Sequence, residues 1–172
     1  MNEYKDNRPT FYHQGDKMKP IRAGGVLFYR NYCGQYAFLL MYNEWRKTYE
    51  DLGGRTDAQD KNIEDTISRE VEEESNKIFS RKDIKQRLID CTRVYIPKSK
   101  YLLCFIPVIW PEHKLKRDKF GTLEIYDNIK RTIDWIPAQK LIANKFSHKL
   151  NVRMANTETY YRILDIIDGI YE

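Results

Sequence analysis

The chain's 172 residues suit one domain with a substantial core. With 41% apolar, 13% aromatic and 32% charged residues, the composition excludes a disordered polymer and describes an ordinary domain with a charge-rich surface. A formal net charge of +5 favours polyanionic partners, because a positive field concentrates phosphate-bearing molecules, although the charges are mixed along the chain and a solvated lysine surface explains them equally well.

Residues 1 to about 20 are polar, with few apolar anchors and with Pro9 and Pro20, and are expected to be a flexible or loosely docked extension ahead of a single domain over 21–172. Order is expected from Ile21. Ala23 to Arg30 reads as a strand with a glycine-softened start, Asn31 to Gly34 as a turn, and Gln35 to Tyr42 as the antiparallel partner. Asp51-Leu52-Gly53-Gly54 reads as a strand end entering a loop, where paired glycines permit close approach. Asn62 or Asp60 caps a helix predicted from about Ile63 to Lys77, with Ile63, Ile67, Val71 and Ile78 at helical spacing. Arg81 to Ile89 reads as a short helix, and Cys91 to Ile96 and Tyr101 to Ile109 as two strands. His113 to Asn128 is a long polar connection, Ile133 to Pro137 leads into a short helix, and Asn156 to Tyr171 closes the chain as an amphipathic helix.

The chemistry concentrates in Arg69-Glu70-Val71-Glu72-Glu73-Glu74. At about 100° per residue, with Glu70 at zero, Glu73 and Glu74 fall near 300° and 40°, bordering the apolar stripe, whereas Glu72 falls near 200° and faces solvent. Like charges three and four residues apart repel, so a positive partner is expected. A hard divalent cation suits such oxygen donors, since Mg²⁺ takes one or two carboxylates with waters and substrate phosphates; a solvated acidic face flanked by Lys and Arg is the alternative for the acids by themselves.

Together, Gly54, Asp60 and Arg69-Glu70-Val71-Glu72-Glu73-Glu74 resemble the signature of the Nudix hydrolases, written G-x5-E-x7-R-E-U-x-E-E-x-G-U. Asp60 stands in the first Glu slot, and eight residues instead of seven separate it from Arg69. Asn76 and Lys77 stand in the final Gly and aliphatic slots, and Asn is the mildest replacement for Gly in a left-handed position. Gly24-Gly25 before the box and Asp134-Trp135-Ile136-Pro137 after it are also similar to the family. The resemblance implies an α+β fold, an α/β/α sandwich with a mixed sheet between helices. It implies Mg²⁺-dependent cleavage, with Mn²⁺ as an alternative ion, of a diphosphate linkage in a nucleoside diphosphate derivative. By position it makes Glu70, Glu73 and Glu74 metal ligands and catalytic groups, with Glu70 orienting or deprotonating water. Gly54 would offer its carbonyl to the metal, and Arg69 would brace the loop by pairing with Asp60. A further acid from the downstream loop is expected to assist, with Glu124 first, then Asp118, Asp127 and Glu112. Two other readings stay open: a decapping enzyme acting on capped RNA, and a catalytically silent module of the same fold that binds nucleotide or RNA.

Arg22, Tyr42, Trp45 and Phe120 are expected to flank the pocket as substrate contacts. Lys114, Lys116, Arg117 and Lys119 form the densest basic cluster, in the loop expected near the site. His13, His113 and His148 are too scattered to form a zinc cluster. Cys33, Cys91 and Cys104, odd in number and widely spaced, fit reduced packing thiols. No apolar stretch approaches the roughly 18 to 20 residues of a membrane span and no signal peptide is evident, so a cytoplasmic location, or host cytoplasm for a viral chain, is expected without a membrane partner.

Overall fold

The apolar runs Val26–Phe28, Phe38–Met41 and Leu102–Ile106 are buried at every position, the pattern of central strands covered on both faces. The structure, a computed structural model, describes residues 6–143 and 149–169. In chain order it contains β1 (Phe11–Tyr12), β2 (Pro20–Ile21), β3 (Ala23–Tyr32), β4 (Gln35–Asn43), β5 (Thr48–Glu50), β6 (Leu52–Arg55), α1 (Ile63–Glu74), α2 (Arg81–Arg87), β7 (Thr92–Ile96), β8 (Tyr101–Pro107), α3 (Arg117–Phe120), β9 (Leu123–Glu124), β10 (Ile129–Pro137), α4 (Ala138–Ile142) and α5 (Thr157–Ile167).

The main sheet runs β7-β8-β3-β4-β10-β9, with β5 paired to β4 and β6 to β3. The β3–β8 pair is parallel and its neighbours are antiparallel, so the sheet is mixed as expected. Val26, Phe28, Leu39 and Met41 meet Ile63, Ile67 and Val71 of α1 and Ile84 of α2 on one face. Leu27, Phe38 and Leu40 meet Ala138 and Leu141 of α4 and Ile163 and Ile166 of α5 on the other. This is the α/β/α layering anticipated from the sequence. Among the described residues, no helix is long and apolar enough to cross a membrane.

Three local expectations change. Helix α1 stops at Glu74, not Lys77, because Asn76 and Lys77 take left-handed backbone angles (φ 51° and 64°) and the Lys77 N–H returns to the Glu72 carbonyl at 2.8 Å. Ile78 therefore leaves the helical stripe and is exposed. Order also begins before Ile21: β1 pairs with β2, Phe11 packs on the core, and His13 stacks on Tyr95 at 5.5 Å. Thr56 donates to the Pro9 carbonyl at 2.8 Å, and Arg22 donates to the Arg8 carbonyl and the Thr10 hydroxyl and pairs with Asp6. The extension is thus docked over residues 6–20, while residues 1–5 lie outside the described residues. Finally, α5 is capped by Asn156 and ends at Ile167; the expected end at Tyr171 falls outside the described residues.

Helix α1 lies close to the sheet because Gly24 has no side chain. A Cβ there would sit 2.8 Å from Cγ1 of Ile67, inside van der Waals contact. Gly24→Ala should destabilise the fold by about 1–3 kcal/mol through this overlap. Combining it with Ile67→Ala should cost less than the two single changes added together, read as a positive coupling in a urea-denaturation cycle; strict additivity would show that the contact does not set the approach.

Candidate active site

Helix α1 begins at Asn62, whose Oδ1 accepts the Asp65 N–H at 2.8 Å, with Glu64 and Asp65 in the favourable first turn. One turn later Arg69 joins the helix to the loop before it. Its Nε and Nη2 donate to the two oxygens of Asp60 at 3.2 and 3.0 Å, and Nη2 also donates to the Arg55 carbonyl at 3.0 Å. Asp60 is buried and accepts the Thr66 hydroxyl and the Asp57 N–H as well, which holds its carboxyl below the ordinary range although burial opposes this. The expected brace is therefore formed, and the extra residue before Arg69 is absorbed in the loop. The remaining arm of Arg69, Nη1, lies 2.9 Å from Glu70 Oε1 and 3.6 Å from Glu73 Oε2.

Glu70 presses against the backbone of Gly54. A Cβ on Gly54 would stand 2.4 Å from the Glu70 carboxyl carbon, so only glycine leaves room for the acid. Burial pushes Glu70 up to about 7, against the pull of Arg69. Glu74, half-buried as a residue, turns its carboxylate inward to accept the Gly53 N–H at 2.9 Å. Burial, then the charges of Glu70 and Asp51, raise its proton affinity well above the ordinary value. Glu73 is also raised, by burial and by Glu124 and Asp127 across the gap, again against Arg69. Glu72 points elsewhere, accepting the Arg81 N–H at 2.6 Å, and is set aside as its helical phase required.

Glu124 is buried at the start of the β9–β10 connection and accepts the Tyr126 and Asp127 N–H groups at 3.1 and 2.8 Å. It shares a cleft of about 390 Å³ with Gly53, Gly54 and Glu74, whose other walls include Asn43, Arg46, Glu50, Tyr101, Arg131 and Arg153. Among the described residues, no three acidic, imidazole or thiol groups already stand close enough to cage a metal ion. The hydrogen bonds explain this: Glu70 is drawn to Arg69, Glu74 to Gly53 and Glu124 to two amides. The donor set, carboxylates against the Gly53–Gly54 backbone, nonetheless fits a hard divalent cation that takes one or two carboxylates and fills its shell with water and phosphate oxygens, and such an ion would offset the burial and crowding that raise the proton affinity of these acids.

The other expected site residues lie elsewhere. Arg22 is spent on the N-terminal segment, as described above. Tyr42 lies against Tyr49, one residue out of phase with Met41 and Asn43, which line the cleft. Trp45 is 86% exposed in the turn between β4 and β5, where its backbone N–H donates to the Asn43 side chain and its ring stays outside the cleft. Phe120 is a core residue against Phe79. Glu112 is committed to a two-armed pair with Arg87 at 2.8 and 2.6 Å, and Asp118 is exposed on α3, whereas Asp127 faces Glu70 and Glu73 electrostatically. His13 and His113 are far apart in separate ring contacts, and His148 lies outside the described residues.

Sequence reasoning missed Arg131 and Arg153. Arg131 is fully buried; it donates to the Glu74 and Gly121 carbonyls at 2.6 and 2.7 Å, tying the end of α1 to the loop before β9. The one signal in the chain is period two, which puts Arg131 on the same side of β10 as Ile133. Arg153 reaches back 102 residues to Asp51 at 2.9 Å and covers the Tyr101 ring, a pairing without local signature.

Asn76 does more than permit the left-handed turn. Its amide donates to the Phe120 and Leu123 carbonyls, each at 2.9 Å, and its oxygen accepts the Ile125 N–H at 3.2 Å, so it latches the segment that presents Glu124. Asn76→Gly keeps the backbone conformation and removes these bonds. Stability should fall by about 1–3 kcal/mol in urea titration, and the Ile125 amide should exchange faster with solvent; unchanged exchange would dismiss the latch.

The raised carboxyls also set a pH dependence. In the folded state Glu70 keeps its proton over a range where the unfolded chain, ordinary near 4.5, has released it, so folding stability falls as pH rises from 4.5 through about 7. In chelator the melting temperature should drop by roughly 5 °C across this window, with a smaller drop in Glu70→Gln. A rise instead would mean that these acids are not desolvated.

No family model and no curated protein matches the chain. Among solved structures, a binary complex of C. elegans Ap4A hydrolase is similar with a TM-score of 0.49 and 17% identity, over 87% of this chain and 98% of that one. A second structure of C. elegans Ap4A hydrolase gives a TM-score of 0.46 and 18% identity, over 88% of this chain and 98% of that one.

Proposed function

We propose that the chain is a Nudix-type hydrolase that uses Mg²⁺, or Mn²⁺, to cleave the diphosphate linkage of a nucleoside diphosphate derivative. The observation that carries this reading is the placement of Glu70 and Glu74, one turn apart on α1, against the Gly54 and Gly53 backbone, with Glu124 of β9 in the same cleft and Glu73 facing Glu124 electrostatically. Glu70, Glu73 and Glu74 would hold the ion, which when bound withdraws charge from phosphate oxygens and acidifies water.

The chain's own groups supply the rest. Glu70 is buried against Gly54 and held by Arg69 through a 2.9 Å bond, which fixes the carboxylate that would orient water beside the ion. Glu124 has its carboxylate fixed by two amides, so it meets the site without losing rotamer freedom at each turnover. Arg46, half-exposed at the mouth and paired with Glu50 at 3.0 Å, and the exposed Arg55 are the cleft guanidiniums placed to meet a phosphate oxygen. Capped RNA is a second substrate reading, favoured by the net charge of +5.

A panel of a nucleoside diphosphate sugar, a dinucleoside polyphosphate and a capped RNA, each with Mg²⁺ and with chelator, tests the reading. At least one should turn over only with the ion. Glu73→Gln and Glu74→Gln should lower kcat by more than the roughly 10–100-fold that a supporting residue costs, and Glu72→Gln should leave it nearly unchanged. Turnover that survives the first two changes and vanishes with Glu72→Gln would refute the site; silence on the whole panel would support the binding module.

A further inference from the structure

At the other end of β3 from Gly24 and the cleft, the chain builds a ladder of rings. His113 lies between Tyr32 and Trp110, with ring centres 6.2 Å and 4.5 Å away and interplanar angles of 17° and 35°. Nζ of Lys114 stands 4.3 Å over Trp110, and Arg30 holds the ladder in place by donating to the His113 carbonyl at 2.6 Å. Tyr32 and Trp110 are nonetheless 62% and 69% exposed, and a groove of about 490 Å³ lined by Arg30, Tyr32, Tyr36 and His113 runs beside them. Large rings fixed in position and left to solvent are what unstacked bases use as a platform.

The charge around the ladder selects the occupant. Lys114, Lys116, Arg117 and Lys119 surround the segment with cations, and Asp118 is the single acid among residues 114–119. Glu112 does not offset them, because Arg87 neutralises it. The segment carrying these cations leaves the ladder at His113 and runs on to Glu124 at the cleft, so in chain order the cations lie between the two. The length of β3 sets their separation at roughly 30 Å.

We infer that the Tyr32–His113–Trp110 ladder and the Lys114–Lys119 track bind the unpaired body of an RNA whose 5′ end enters the cleft. Bases stack on the rings and phosphates follow the cations. The choice of RNA rests on the hydrolase reading above, since the 5′ end of an RNA carries the phosphate anhydride that the cleft would cleave; a protein partner is disfavoured by the one-sided charge.

Binding of a fluorescein-labelled oligouridylate of about 20 nucleotides, longer than one stacking module covers, is measured by anisotropy on the full chain in chelator, where no hydrolysis contributes. Wild type should bind more tightly than about 10 µM at low salt. Trp110→Ala and Tyr32→Ala should each weaken binding about tenfold or more, and Trp110→Phe should retain most of it. Lys116→Ala with Lys119→Ala should flatten the log–log salt dependence by about 0.7 for each phosphate no longer neutralised. Turnover of a small diphosphate substrate should be the same in Trp110→Ala as in wild type. Affinity unchanged in both ring variants overturns the inference, as does a Trp110→Ala protein whose RNA affinity holds while its sedimentation shifts to a smaller species, which would make the face a protein contact. If the ring variants lose RNA and no substrate is ever hydrolysed, the platform stands and the cleft reading falls.

Discussion

The site hangs on the guanidinium of Arg69. Its planar fork makes four hydrogen bonds in three directions: to both oxygens of Asp60 in the loop, to the Arg55 carbonyl at the end of β6, and to Glu70 on its own helix. Because the group is nearly buried, removing one partner would leave a desolvated charge, a loss of about 3–5 kcal/mol where such pairs have been broken. Lysine could not substitute, as a point charge has no second arm for Glu70 while holding Asp60. Helix, loop and strand therefore share one register, and the position of each carboxylate follows from it.

Unequal access to Arg69 makes the glutamates different. Glu70 is in contact and Glu73 is 3.6 Å away, so both are partly compensated. Glu74 has the Gly53 amide in place of a cation, and burial with the charges of Glu70 and Asp51 raises its proton affinity well above the ordinary value. The glycines are the other half of the arrangement. Gly24 admits Ile67 and Gly54 admits Glu70, so helix and sheet meet at distances that any side chain would prevent.

Much of this was legible in the chain because it is local and periodic. The apolar stripe of Ile63, Ile67 and Val71 and the turn of Arg69 to Glu74 lie on one helix, where a 100° step assigns faces, and it separated Glu72 from its neighbours correctly. The β3–β4 hairpin and the mixed sheet followed from runs of apolar residues around turn signals. What failed was tertiary. The N-terminal segment is held by Phe11 on the core, by pairing with β2 and by carbonyls that take Arg22 and Thr56, and a lone apolar residue with backbone contacts makes no periodic signature. Residue type alone makes Phe120 and Trp45 pocket candidates, but the fold buries one and leaves the other in open solvent. The basic loop is expected near the site, and its far end, at Glu124, is the part that lines the cleft; Arg153 joins the site through a contact across 102 residues.

The cleft's charge balance ties these observations together. Eight carboxylates bear on it, Glu50, Asp51, Asp60, Glu70, Glu73, Glu74, Glu124 and Asp127, against the five guanidiniums of Arg46, Arg55, Arg69, Arg131 and Arg153. Fully ionised, they leave an excess of negative charge in a partly desolvated space, and Arg69, Arg131 and Arg153 are already committed to Asp60, to carbonyls and to Asp51. A site so constituted can approach neutrality by keeping protons, which is the physical content of the raised affinities of Glu70, Glu73 and Glu74, or by taking a divalent cation. Under the proposed hydrolase reading, a polyphosphate would meet Arg46 and Arg55 as the exposed cations of the cleft and would be repelled by its ionised acids, so ion and phosphate would enter as a coupled pair, each lowering the electrostatic cost of the other.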